Sequence, residues 1–139
     1  METAIQTLPI TGKRLWAGHI ITGLPILFLL VDGIMKLFKP AIVVNSTVEL
    51  GYGEQVIVPL GIVLLASTIL YVVPRTAVIG AILLTGYLGG AVATHVRVGS
   101  GSFPVLFPVI VGILVWGGLY LRDARIAELI PLRNPLSSE

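Results

Sequence analysis

The sequence predicts an all-α protein, a four-helix transmembrane bundle with a short interfacial segment between its first and second spans. Three observations carry that expectation. Asp, Glu, Lys and Arg make up only 12% of the 139 residues while the apolar set makes up 55%, about half the charged share of a soluble protein. Mean hydropathy is +0.99, too high for a chain that must cover its whole surface with charge. The few charges also fall at intervals close to the ~20 residues that a helix needs to cross a bilayer core. Charge-free runs of 17, 20, 21 and 24 residues separate Arg14 from Asp32, Glu54 from Arg75, Arg75 from Arg97, and Arg97 from Arg122.

The N-terminal dozen, METAIQTLPITG, is too polar for a cleavable signal peptide, and the span after it is too long for a signal h-region. Four spans follow at about 15–38, 55–73, 77–97 and 104–121, in a single transmembrane domain over residues 1–139. The stretch 39–54 between the first two contains Ser46-Thr47-Val48-Glu49, a capping-box spacing, then Leu50 and Gly51 as a helix stop. A short interfacial helix is expected there, with a strand-like stretch as the alternative because Ile42, Val43 and Val44 are β-branched. Residues 122–139 read as a tail.

Four spans put both termini on one side. Lys13, Arg14, Arg75, Arg122, Arg125 and Arg133 share that side, against Lys36, Lys39 and Arg97 on the other. The positive-inside rule then places both termini in the cytoplasm. Trp16, Tyr71 and Tyr120 fall at the same inner interface, where an aromatic belt is expected.

Several function classes drop out. With no cysteine, thiol redox and nucleophilic chemistry are excluded. A net charge of +2 without any basic run does not suit nucleic acid. His19 and His95 lie at opposite ends of the bundle with no ligand spacing around either, so no metal site is expected. No serine sits in an elbow motif such as GxSxG.

The informative residues are the ionisable ones placed in lipid, where each charge costs about 2.5–3.5 kcal/mol at midplane. Asp32 and Lys36 are one turn apart in the favourable order for an intrahelical pair. They read either as a salt bridge sealing the outer end of the first span or as a ligand or proton site. His95 and Arg97 end the third span at the same outer end, and Glu49 and Glu54 belong to the adjoining loop. Residues 95 and 97 are about 200° apart round a helix, so only one can face the bundle, and Arg97 is nearer the end. Gly86-Tyr87-Leu88-Gly89-Gly90 puts Gly86 and Gly90 at GxxxG spacing. That stripe means close helix packing or, beside Tyr87, space for a flat hydrophobic ligand, with Phe28, Phe107 and Trp116 as further lining candidates. The ligand-binding or proton-handling candidates are thus Asp32, Lys36, Glu49, Tyr87, His95 and Arg97; no catalytic residue is assigned.

Over residues 15–133 the chain resembles the DoxX-like family of small four-helix membrane proteins. The resemblance rests on Asp32-Gly33-Ile34-Met35-Lys36, on Leu50-Gly51-Tyr52, and above all on the run from Pro74-Arg75-Thr76 through Gly80–Gly90 to His95-Val96-Arg97. Trp116, Leu119–Asp123 and Ile130–Arg133 complete it. It implies a multi-pass protein of a bacterial cytoplasmic (inner) membrane. One branch of that family is similar to a subunit of a thiosulfate:quinone oxidoreductase, other relatives partner redox enzymes, and a distant branch resembles a receptor-assembly chaperone. No catalytic residue carries over.

Three functions are therefore open. The first is an accessory or binding role, with a lipophilic ligand or a membrane or redox protein partner using the outer charged cluster. The second is a quinone-linked oxidoreductase subunit, in which Asp32, Lys36 and His95 bind a quinone. The third is an oligomeric transporter or proton-coupled carrier. The first is preferred, with no cofactor required and a homo-oligomer allowed.

Overall fold

The computed structural model describes residues 12–129. Within them the chain forms α1 (Gly12–Phe38), α2 (Ala41–Glu49), α3 (Ile57–Val72, led in by a 3-10 turn at Glu54–Val56), α4 (Ala77–Val98), α5 (Ser102–Arg122) and α6 (Ala124–Leu129). No strand occurs among the described residues. The spanning helices contain 27, 19, 22 and 21 residues, counting the 3-10 turn with α3. At 1.5 Å per residue they reach about 28–40 Å, enough to cross the hydrocarbon core. The helices run one to three residues past several of the limits read from charge, since helical hydrogen bonding continues into the interface beyond the last apolar residue.

The four spans alternate in direction, and each packs on two neighbours: α1 on α3 and α5, α4 on the same two. α1 and α4 therefore face one another across the bundle. One end, here termed proximal, carries the α3–α4 turn and the approaches to both termini; the distal end carries α2. Leu29, Leu64, Tyr71, Leu84, Val115 and Leu119 fill the centre and are almost inaccessible. Leu24, Leu27, Ile62, Ile69, Ile82 and Ile113 point outward and are exposed, as apolar side chains are when lipid is the solvent.

Because lipid tails are as apolar as leucine, helices in a bilayer gain little from burying side chains and must touch closely instead. Glycines provide that contact on three seams. Between α1 and α5, a Cβ at Gly18 would stand 2.7 Å from Cγ of Arg122, and one at Gly118 would overlap Thr22. Between α1 and α3, a Cβ at Gly61 would stand 2.8 Å from Cβ of Lys36 and 3.0 Å from the Gly33 carbonyl oxygen. Between α3 and α4, a Cβ at Gly80 would collide with the Tyr71 backbone. The α4–α5 seam uses a hydrogen bond, from Trp116 Nε1 to Thr85 Oγ1 at 2.7 Å.

Three sequence expectations need correction. The capping box at Ser46–Glu49 does not start α2. That helix begins after Pro40, and Ser46 and Thr47 lie inside it, donating back to the Val43 carbonyl. Their hydroxyls were free to do so because no helix start left orphan N–H groups at that point. The stop at Gly51 does occur: its φ of 86° allows a Schellman turn, with Tyr52 N–H donating to the Thr47 carbonyl and Gly51 N–H to that of Val48. Tyr71 is no belt residue; it is 0% exposed, and its hydroxyl donates to the Val115 carbonyl at 2.6 Å. The stretch after Arg122 is not all tail, since α6 returns Ile126 to the core. The N-terminal segment before Gly12, and Arg133 with the rest of the tail beyond Leu129, lie outside the described residues.

Gly80→Ala must push α3 and α4 apart, and overpacking of this kind costs about 1–3 kcal/mol. Gly89→Ala meets nothing within 4 Å and is expected to shift stability by no more than about 0.5 kcal/mol. Unfolding of the two variants in detergent, followed by loss of helicity, checks the contrast. Equal stability of the two would refute the seam.

Candidate functional site

Beyond Leu84 and Val115 the distal half of the bundle contains a cavity. This cavity of about 410 Å³ lies between α1 and α4, with α2 across its mouth and Phe107 and Pro108 of α5 on one flank. Its walls come from helical periodicity. On α4, Gly86, Tyr87, Gly90, Ala91, Thr94 and His95 line it, a single face with three- and four-residue steps. On α1, Phe28, Asp32 and Lys36 line it at i, i+4 and i+8. Phe28 and Phe107 meet edge to face at 4.9 Å and 77°, closing the α1–α5 side with a favourable aromatic geometry.

The predicted stripe of small residues has a clear outcome here. Among the described residues, nothing stands within 4 Å of where a Cβ would be at Gly86, Gly89 or Gly90. The GxxxG pair is therefore not a seam of this bundle. Gly86 and Gly90 face the cavity, and Gly89 does not line it.

Asp32 and Lys36 form the expected intrahelical pair, Nζ to Oδ2 at 2.5 Å. Both belong to the cavity wall. The lysine side chain is 15% exposed and the aspartate 32%, so the pair is partly desolvated and each charge depends on the other. One bond occupies one of three ammonium donors and one of two carboxylate oxygens. The remainder can meet a ligand.

His95 and Arg97 divide as their angular separation requires. Gly99 adopts φ 68° and ends α4 in a Schellman turn, Ser100 N–H donating to the His95 carbonyl. That turn folds Ser100 back over His95, whose Nδ1 meets Ser100 Oγ at 3.0 Å. Nδ1 is thereby engaged, and Nε2 has no partner among the described residues. Arg97 leaves the cavity. Its Nη2 donates to the Leu50 carbonyl at 2.8 Å and its guanidinium lies 6.0 Å over the Tyr52 ring. It fastens the end of α2 to α4 and lines no part of the cavity. A Cβ at Gly51 would stand 3.2 Å from that nitrogen, so a larger residue there would make Arg97 shift slightly.

Glu49 is separate too. It borders a second recess of about 330 Å³, with Ser46, Val98, Ser100 and Pro104, and His95 alone of the charged-cluster candidates lines both spaces. Glu54 is exposed and pairs with Lys39 at 3.7 Å, a surface contact of little energetic weight.

Sequence reasoning missed Tyr52 and Thr94, which line the cavity. Thr94 Oγ1 donates to the Gly90 carbonyl at 2.8 Å, so its single proton is spent and Tyr52 donates to it at 2.7 Å. Thr94 was findable, being one turn beyond Gly90; Tyr52 was not, because only the Gly51 turn brings it back. Trp116, named as a lining candidate, sits lower and bonds Thr85 instead.

The arrangement offers one apolar chamber with polar groups gathered on α1 and α4: a carboxylate–ammonium pair, a phenol on Tyr87 and an imidazole. Leu29, Leu60, Leu88 and Pro108 complete its apolar lining. In comparisons with known proteins, nothing matches among curated proteins or among solved structures. The model of the DoxX-like family matches residues 20–118, which include Asp32, Lys36, Tyr87 and His95. With that match over most of its length and four helices long and apolar enough to cross a bilayer, the chain belongs to the DoxX-like family of membrane proteins.

Proposed function

We propose that this protein binds a lipophilic molecule with a polar head in its distal cavity, in an accessory role to membrane chemistry. The observation that carries the reading is the cavity itself. Its volume of about 410 Å³ falls in the ~300–1,000 Å³ range of small-molecule sites. Phe28, Leu29, Leu60 and Phe107 supply apolar wall, while Asp32, Lys36, Tyr87 and His95 supply the few polar contacts that orient a head group. These four donor and acceptor groups also support a narrower second reading in which the ligand is a quinone and the protein a subunit of a quinone-linked oxidoreductase. Orientation is part of the proposal: the excess of Lys and Arg at the proximal end supports cytoplasmic termini, and membership of the DoxX-like family supports a bacterial inner membrane.

Full-length protein extracted in mild detergent is expected to carry one lipophilic molecule in native mass spectrometry. Gly86→Leu fills the space beside Tyr87 and is expected to lower that adduct about tenfold, a loss of about 1.4 kcal/mol; Gly89→Leu leaves it unchanged. An adduct indifferent to Gly86→Leu contradicts the site. Displacement of the adduct by a short-chain benzoquinone supports the second reading, and failure to displace it at the solubility limit removes that reading.

Asp32→Asn strips Lys36 of its counter-charge and is expected to cost about 1–3 kcal/mol of stability. Replacing both residues by leucine is expected to restore most of that loss, as for other buried pairs, without restoring the adduct. Wild-type ligand retention in the double variant would reduce the pair to a structural role.

For orientation, Ser102→Cys at the distal end is expected to react with an impermeant maleimide in intact cells, and Lys13→Cys only after lysis. The reverse pattern would invert the topology.

A further inference from the structure

The proximal end holds a second set of charged groups, on residues that lie outside the family match. Arg122 is the last residue of α5. Its stem lies against Gly18 of α1, and its guanidinium carbon sits 5.4 Å over the ring of Tyr71 on α3. Nε and Nη2 are buried and find no acceptor among the described residues. Arg14 lies one turn before Gly18 on the same seam. Its Nη2 donates to the Tyr120 carbonyl at 3.2 Å, its guanidinium carbon is 5.5 Å over the Tyr120 ring, and its Nε is buried without an acceptor.

The two guanidinium groups at this end of the bundle thus have aromatic faces and one neutral carbonyl as company, Arg14 over Tyr120 of α5 and Arg122 over Tyr71 of α3. No ion pair among the described residues involves either one: Asp123 is taken by Arg125, through Nε at 3.3 Å and two further bonds, and Glu128 is exposed on α6. Cation–π contact relieves part of the desolvation but leaves the charge unbalanced. A half-buried cation without a counter-ion carries a desolvation cost, and two like charges at one end of the bundle repel each other as well. The missing component is an anion. Guanidinium forks match phosphate oxygens in pairs. Depth favours the same partner: α5 has 21 residues, about 31 Å of helix, the thickness of the hydrocarbon core, so a long side chain on its last residue can reach the headgroup layer where lipid phosphates lie.

We propose that Arg14 and Arg122 hold one phosphate group at the proximal end of the α1–α5 seam, presented by an anionic phospholipid. Phosphatidylglycerol and phosphatidylcholine share the phosphodiester and differ in net charge, so the two cationic groups discriminate between them. Each basic group near an anionic surface contributes enough that two predict a preference of about 30-fold.

The test uses the full-length wild-type protein, delipidated in detergent, then titrated with each lipid and with inorganic phosphate. Native mass spectrometry reads the bound species and thermal unfolding reads stabilisation. The expected result is a phosphatidylglycerol adduct about 30-fold favoured over phosphatidylcholine, with a matching rise in Tm that needs no variant. In R14Q/R122Q the preference falls to near one, while R125Q, whose side chain is 79% exposed, keeps it. Equal retention of both lipids by the wild type overturns the site. Full preference in R14Q/R122Q overturns its location. Displacement of phosphatidylglycerol by millimolar inorganic phosphate overturns the lipid as the source and leaves a site for free phosphate.

Discussion

Everything in this bundle depends on where its backbones can touch. In lipid the hydrophobic effect does not hold helices together, so van der Waals contact between close backbones must. Gly18 and Gly118 bring α1 against α5, and Gly80 brings α4 against α3, all in the proximal half. Distally, among the described residues, only the Gly33–Gly61 seam between α1 and α3 is as tight. The distal half of α4 presents Gly86 and Gly90 to empty space. A chamber follows from that asymmetry, since the helices are pinned at one end and lack a glycine seam on α4 at the other.

The polar groups are arranged to keep the chamber covered. Gly51 and Gly99 close α2 and α4 with the same left-handed turn. The first returns Tyr52 to Thr94, and the second returns Ser100 to His95. Arg97 then ties the Leu50 carbonyl to the end of α4. The roof is held by hydrogen bonds at its rim, while the space below is walled by Phe28, Leu29, Leu60 and Phe107. A roof fixed at its edges over an apolar chamber suits a ligand that enters from the membrane and keeps its head near the water.

Much of the fold was legible in the sequence because charge is expensive in a bilayer. Sixteen Asp, Glu, Lys and Arg residues punctuate the chain where it can meet water, and their spacing marks the four spans. The 3.6-residue period showed that His95 and Arg97 cannot share a face, but choosing between them required the Leu50 carbonyl, which the chain supplies from 47 positions away. Which glycines pack was not legible. GxxxG spacing marks a smooth helix face, and only the neighbour decides whether anything lies on it; Gly86 and Gly90 have none while Gly18 and Gly118, outside any such pair with each other, do. Tyr71 read as a belt residue for a similar reason: its position along α3 was right, but its direction depended on the Val115 carbonyl. Arg14 and Arg122 counted only as positive charge until the seam showed Nε of both, and Nη2 of Arg122, without acceptors among the described residues.

The central claim is that the distal chamber is a ligand site, and a density map of the full-length protein purified from its own membrane into a lipid nanodisc tests it most directly. The account predicts a continuous non-protein feature between α1 and α4, with its polar end within hydrogen-bonding distance of Asp32, Tyr87 or His95 and its tail along Phe28 and Phe107. A chamber collapsed by inward rotation of Tyr87 and Phe28, or one holding only isolated waters, would contradict it.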